Sequence, residues 1–275
     1  STRVRSSAAS DVYKRQGVRD AEGYTFMGWS TKPMQSVSPQ YEAEEKITVN
    51  GNVDLYAVVF NRTTETDLTE DQLPQVDIYK YKQVIFVGDS RTEFMENVLT
   101  GMGESATKNV KFVCSAGKGL DWFTTTGWAQ LYSIVQHDSN SILSKKTAVI
   151  FNFGVNDLSK SADYAEYYNW IAPQLKSKGC ELYFMSVNPV NRLMLPNAGR
   201  ADRSEAAVRS FNQYMKANLS SAYTYIDMYS YLKSTGYSFA SDHYGTGTVD
   251  DGLHYTTRTY KRIFAKCMDS LRVPA

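Results

Sequence analysis

The sequence predicts an α/β sandwich, with helices packed on a five-stranded parallel sheet and a small β module in front. Two observations carry this. Apolar residues occupy consecutive positions at 84–88 (VIFVG), 110–117 (VKFVCSAG), 147–154 (TAVIFNFG), 181–188 (ELYFMSVN) and 223–228 (YTYIDM), as strands buried on both faces of a parallel sheet require. Between them the period is helical: Val208, Phe211, Met215 and Leu219 recur at steps of 3, 4 and 4, one stripe of an amphipathic helix. Strand alternating with helix implies right-handed crossovers.

The elements justify themselves in order. Residues 1–16 open with STRVRSSAASDVYKRQ. Its SSAASDVYKRQ portion can be encoded in frame by a string resembling a transposase-type sequencing-library adapter, so we expect residues 1–16 to be an artefactual tail on a truncated gene. Residues 17–60 read as short strands, GYTFMGW, KITVNG and VDLYAVVF, with period-two alternation and an Asn-Gly-Asn turn at 50–52. The run GYTFMGWSTKP … YEAEEKITVNGNVDLYAVV resembles the Listeria–Bacteroides repeat, a β-grasp-like module of bacterial surface proteins, with Val58-Val59 where that family has Gln-Trp. The resemblance covers only the last two-thirds of such a module. It implies an extracellular or cell-surface bacterial protein, attached through a missing N-terminal region. Residues 61–80 are polar and acidic and read as a linker, and residues 81–275 as the main domain.

Within the main domain, Gly179 is placed to end the helix of QLKSKG, and Thr256 or Thr257 to cap the last one. That last helix carries the stripe Tyr260, Ile263, Phe264, Cys267, Met268 and Leu271. Pro173 should kink its helix or shift the start. In open α/β sheets ligands bind beyond the carboxyl ends of the strands, so those ends are where chemistry is sought.

Composition narrows the chemistry. A hydrophobic content of 42% supports a real core, and a net charge of +1 gives no basic field for nucleic acid. No apolar run approaches the ~18 residues of a membrane span. The three cysteines, Cys114, Cys180 and Cys267, are scattered and match neither a metal site nor a disulfide framework. No metal or cofactor motif is present: AGKG lacks the rest of a phosphate loop, and no His-Glu-x-x-His occurs. The absence of Gly-x-Ser-x-Gly disfavours an α/β-hydrolase elbow.

Three motifs fall at strand ends or before the last helix: GDS (Gly88–Ser90), FGVND (Phe153–Asp157) and DDGLHY (Asp250–Tyr255). Alone, each is an ordinary turn. Together they supply a serine nucleophile, amide donors and an acid–base pair. A serine hydroxyl needs a neighbouring base, and histidine, with an unperturbed pKa of about 6.5, suits that task. Of the three histidines, His137 reads as a helix-end residue and His243 as a turn or pocket-lining residue. His254 has Asp251 three positions earlier, close enough to fix its tautomer.

In this order the motifs resemble the SGNH (GDSL-type) hydrolase superfamily over about residues 81–272. The resemblance implies a flavodoxin-like three-layer α/β/α fold and hydrolysis of esters or thioesters. It implies Ser90, Asp251 and His254 as catalytic residues. Oxyanion donors would be Ser90, Asn156 and Gly119, with Gly117 as the alternative glycine; Asp89 and Asp157 would be loop braces. Arg91 stands where the family string has leucine, placing a cation at the mouth of the pocket that either steers an anionic substrate or faces solvent. Trp122 could stack on a sugar or belong to the core. No long apolar lid is visible, so a short-chain, O-acetyl esterase on carbohydrate or cell-wall glycan is expected. The alternatives are glycan O-acyl transfer, a lipase or thioesterase activity, and a non-catalytic surface binding module.

Overall fold

Alternating and continuous apolar patterns give two kinds of sheet. The computed structural model describes residues 3–6, 9–14, 23–33, 38–77, 80–138, 146–198, 201–241 and 250–271. The chain divides into two compact units: Ser1–Thr66 with Asn188–Arg209 and Tyr229–Thr259, and Asp67–Val187 with Ser210–Met228 and Tyr260–Ala275. Among the described residues no helix is long and apolar enough to cross a membrane.

The first unit begins with strands β1 (Arg3–Ser6), β2 (Ala9–Lys14), β3 (Tyr24–Ser30), β4 (Lys46–Asn50) and β5 (Val53–Asn61). The last three occupy the alternating segments. β3 and β1 flank β5, all antiparallel, and β2 pairs with β4. The backbone of the adapter-like tail is thus in strand pairing, a feature its polar composition did not suggest. Phe26, Trp29, Ala43 and Leu55 are buried together, with the Phe26 and Trp29 rings edge-on at 5.3 Å. At Gly28 (φ +148°) the β3–β5 register shifts, and an added Cβ would lie 2.5 Å from the Tyr41 carbonyl oxygen. Only glycine leaves room there.

The second unit holds the parallel sheet: β6 (Tyr81–Gly88), β7 (Val110–Cys114), β8 (Lys146–Asn152), β9 (Cys180–Met185) and β10 (Tyr223–Ile226), in the order β10-β9-β8-β6-β7. All four pairings are parallel. Val84, Ile85, Phe86 and Val87 on β6 are all buried, which explains why its sequence is apolar on both parities. Helices are α1 (Ser90–Met102), α2 (Glu104–Thr107), α3 (Leu120–Trp122), α4 (Trp128–Asp138), α5 (Ser161–Ser177), α6 (Glu205–Asn218), α7 (Met228–Thr235) and α8 (Thr257–Ser270). On one face of the sheet Phe86 meets Phe264 of α8, and Phe94 of α1 stacks on Tyr260. On the other, Phe151 packs on Phe123, just after α3, and on Tyr168 of α5. Three layers result.

α5 runs unbroken through Pro173. Its buried stripe of Tyr164, Ala165, Tyr168, Ile171, Ala172 and Leu175 outweighs the ~3 kcal/mol an interior proline costs. Gly179 (φ +76°) follows the C-cap, its N–H donating to the Lys176 carbonyl at 3.0 Å. Thr256 precedes α8 and accepts a long 3.5 Å bond from the Thr259 N–H.

The strand order reverses around β6, because the chain places β7 on one side of it and β8 on the other. The loops after β6 and β8 therefore flank the topological switch point, where such sheets hold ligands.

The first unit is completed by β11 (Phe239–Ser241) and β12 (Asp250–Tyr255), an antiparallel pair with Phe239 opposite Tyr255. The Phe239 and Tyr255 rings stack across the pair, and the Tyr237 ring meets both edge-on. Within the unit, Lys233 is buried against Glu205 (3.1 Å) and Glu42 (2.9 Å), tying α7 to the strand module. Burial acts to lower the Lys233 pKa, but the two carboxylates outweigh it and raise the pKa above the ordinary lysine value.

Candidate active site

The candidate nucleophile, Ser90, lies in the second unit. β6 ends at Gly88, whose hydrogen faces the Thr92 side chain so closely that a Cβ would lie 1.9 Å from its hydroxyl oxygen. This close approach lets α1 begin at once. Asp89 is its N-cap: the side chain accepts from the Arg91 N–H at 3.0 Å, and the carbonyl accepts from the Thr92 and Glu93 N–H groups. Ser90 is therefore the first residue of α1, at the positive end of a helix dipole, where negative charge is favoured. It is 6% exposed.

Two further loops converge on this end of the sheet. The Ser115 N–H donates to the Gly88 carbonyl at 3.3 Å, and the Glu93 carboxylate accepts from the Ala116 N–H at 2.6 Å. The loop after β7 is thereby fixed to the start of α1. Gly119 is the N-cap of α3, and a Cβ there would sit 2.3 Å from Asp157 Oδ2. That oxygen accepts from the Leu120 N–H at 2.9 Å, and Asp157 Oδ1 accepts from the Tyr164 hydroxyl at 2.7 Å. Burial pushes the Tyr164 pKa up, so it remains a neutral donor. The Asn156 side-chain amide donates to the Lys118 carbonyl at 2.8 Å, which uses one of its two N–H bonds.

Asp89 and Asp157 thus brace loops, as their positions in the motifs suggested. Gly119 rather than Gly117 packs against the Gly-x-Asn-Asp motif; Gly117 has φ +70° and open space around its Cα. Tyr164 escaped the sequence reading, because nothing local in DYAEYYNW distinguishes the tyrosine that braces a loop from those that fill the core.

The candidate acid–base pair, Asp251 and His254, lies in the first unit, on β12. Gly252 adopts φ +68° with its Cα against the Asn191 carbonyl oxygen, 2.5 Å from an added Cβ. Its own carbonyl accepts from the Asn191 N–H at 2.8 Å. This turn lets the Asp251 carboxylate fold back along its own strand. Oδ1 accepts from the Leu253 and His254 N–H groups, both at 2.7 Å, and Oδ2 lies 2.5 Å from His254 Nδ1. Asp251 is wholly buried and His254 is 3% exposed. Burial alone would raise the Asp251 pKa; the His254 ring and the two N–H donors more than compensate and lower it. An ionised Asp251 keeps the proton on Nδ1 and leaves Nε2 as the basic nitrogen.

Arg91 does not face solvent: it is only 3% exposed, in the first turn of α1. Its expected place at the mouth of a pocket rested on neighbouring sequence, which does not tell which side of a helix start is covered. Trp122 is half-buried, its ring 6.0 Å from that of Phe153 and close against Gly127. His137 lies in the last turn of α4, and His243 falls outside the described residues. Among the described residues no group of three or more His, Cys, Asp or Glu could hold a metal ion.

Residues 84–267 match the model of the GDSL-like lipase/acylhydrolase family. No curated protein matches the chain. Solved structures match the chain at low identity. A candidate acylhydrolase from Bacteroides fragilis is 16% identical with a TM-score of 0.46, covering 73% of this chain and 92% of its own. An acetyl xylan esterase is 11% identical with a TM-score of 0.46, covering 69% of this chain and 100% of its own. The catalytic domain of a Streptococcus pneumoniae peptidoglycan O-acetyltransferase is 15% identical with a TM-score of 0.42, covering 70% of this chain and 92% of its own.

Proposed function

The chain belongs to the GDSL-like lipase/acylhydrolase family and is an ester-bond hydrolase; from that premise we propose that it removes short O-acyl groups, acetyl foremost, from a carbohydrate or cell-wall glycan. The observation that carries the mechanism is the buried Asp251–His254 pair, with its 2.5 Å contact and its tautomer set by an ionised carboxylate.

In this reading Ser90 Oγ attacks the ester carbonyl while His254 Nε2 takes the hydroxyl proton. The resulting imidazolium is stabilised by Asp251, which stays ionised. Negative charge on the carbonyl oxygen is met by the Ser90 and Gly119 N–H groups and by the Asn156 amide, each such donor being worth roughly 2.7–4 kcal/mol. The bond between the acyl carbon and the alcohol oxygen then breaks, and His254 returns its proton to the departing alcohol. Water, deprotonated by the same histidine, cleaves the Ser90 acyl ester and regenerates the free hydroxyl.

The substrate class rests on Trp122, whose half-buried ring stands three residues after Gly119 and offers a face for a sugar. The resemblance of the N-terminal module to a bacterial surface repeat supports an extracellular glycan. Release of acetate from a panel of acetylated glycans and peptidoglycan, with and without an acceptor sugar, tests this. Hydrolysis of acetylated glycan, and of p-nitrophenyl acetate faster than of long-chain esters, is expected. A preference for long acyl chains would overturn the substrate class, and acetate appearing on the acceptor in place of water would make the enzyme a transferase.

A further inference from the structure

The segment between the strand module and the parallel sheet carries a buried carboxylate that the reaction does not use. β5 ends in a helical turn, Arg62–Thr64, closed by the Asn61 side chain accepting from the Thr63 N–H at 3.0 Å. The Arg62 side chain ties that turn to Thr25 of β3 at 2.9 Å. The next residue, Glu65, is 5% exposed. Its Oε2 accepts from the Ser238 hydroxyl at 2.6 Å, and its Oε1 accepts a still shorter bond from the Thr259 hydroxyl.

Those two hydroxyls flank the strand pair that bears the acid–base residues. Ser238 immediately precedes β11, and Thr259 lies in the first turn of α8, just after β12. They are also joined to each other: the Ser238 N–H donates to Thr259 Oγ1 at 3.0 Å, and the Thr256 N–H donates to the Ser238 carbonyl at 3.0 Å. One carboxylate therefore joins the two strands at the Phe239–Tyr255 end of their pairing, where Tyr255 directly follows His254. The neighbouring contact is equally tight. Gly236, at φ +83°, lies so close to the Phe60 ring of β5 that an added Cβ would sit 2.2 Å from it.

We propose that Glu65 is a positioning residue for the Asp251–His254 pair, holding β12 so that the imidazole keeps its working orientation. The proposal rests on the reading of His254 as the general base. One side chain bonded to hydroxyls beside both strands restrains a strand pair of only three and six residues. A base displaced by about 1 Å costs on the order of 10²-fold in rate. The strand module is thereby part of the catalytic apparatus.

The test measures kcat and KM for p-nitrophenyl acetate in the full chain, with kcat normalised to the sites titrated by a fluorophosphonate, alongside thermal unfolding. Glu65→Ala is expected to lower kcat per titrated site by about 10- to 100-fold with KM held within about twofold. Glu65→Gln, which keeps one acceptor oxygen, should recover most of the loss. Unchanged kcat per titrated site in Glu65→Ala, with only the unfolding temperature or the fraction of active sites reduced, would overturn the proposal. If Glu65→Ala does not fold, Thr259→Val removes one hydroxyl at nearly constant volume and should show a smaller loss confined to kcat; a normal kcat there would equally overturn it. His254→Ala is run in parallel. Full activity in that variant would sink the general-base reading itself, a failure distinct from a dead His254→Ala beside a normal Glu65→Ala.

Discussion

Consider Asp251→Asn, which replaces one carboxylate oxygen by an amide nitrogen of almost the same size. Oδ1 of the native residue accepts two backbone N–H bonds, both at 2.7 Å. An asparagine that kept its oxygen there would present its NH2 group to His254 Nδ1. The ring would then have to accept at Nδ1 and carry its proton on Nε2, where the base is needed. The flipped amide would restore the useful tautomer only by setting a donor against two N–H donors. Losing those two bonds costs at least ~2 kcal/mol at ~1 kcal/mol each, so fewer than about one molecule in twenty would hold the useful tautomer. The imidazolium also loses its counter-charge, and in Ser-His-Asp hydrolases the same exchange costs about 10⁴-fold in kcat. We therefore expect kcat to fall by roughly 10²- to 10⁴-fold, while the unfolding temperature changes by no more than a few degrees because both backbone bonds survive. Steady-state kinetics on p-nitrophenyl acetate, with calorimetry on the same sample, measure both. A variant keeping more than about a tenth of the native kcat would refute the tautomer reasoning.

Two further outcomes follow from other parts of the molecule. Gly119→Ala should lose far more activity than Gly117→Ala, since its Cβ must displace Asp157, whereas an alanine at Gly117 (φ +70°) meets no neighbouring atom and bears only the ~1–2 kcal/mol of left-handed backbone; kinetics showing the reverse order would point to Gly117 as the oxyanion glycine. Glu181 is held at a pKa of about 2: burial opposes ionisation, but the hydrogen bonds from Lys146 and Tyr81, with Lys80 nearby, prevail. Because its folded pKa lies below the ordinary carboxylate value, its contribution to stability is complete above about pH 4.5 and is lost as the pH falls towards 2. Glu181→Gln should accordingly flatten the fall in unfolding temperature across that acid window; an unaltered slope would show that the Lys146 and Tyr81 bonds do not stabilise the fold.

Much of this was legible from local pattern. Residues buried on both faces of a parallel sheet must be apolar at every position, so β6 and β8 announce themselves, and helical stripes mark α6 and α8. The turn chemistry of Gly88-Asp89-Ser90 and the three-residue step from Asp251 to His254 likewise act through neighbours in the chain. Features set by distant contacts were not legible. Strand order around β6 depends on crossover packing, and the burial of Arg91 depends on what covers the start of α1. Pro173 sits in an intact helix because the packed stripe of α5 outweighs its missing N–H. Glu65 lies in a polar, acidic stretch whose composition reads as a linker; only its distant partners, Ser238 and Thr259, reveal a buried clamp.

The central claim, that Ser90 is the nucleophile activated by the Asp251–His254 pair, is tested most directly by covalent labelling. A fluorophosphonate forms a serine oxygen–phosphorus bond with loss of fluoride, and peptide mass spectrometry then locates the adduct. The expected result is one label per chain, on Ser90, with activity lost in proportion and with labelling abolished in Ser90→Ala and strongly slowed in His254→Ala. A label on another residue, or full activity after Ser90 is modified, would contradict it.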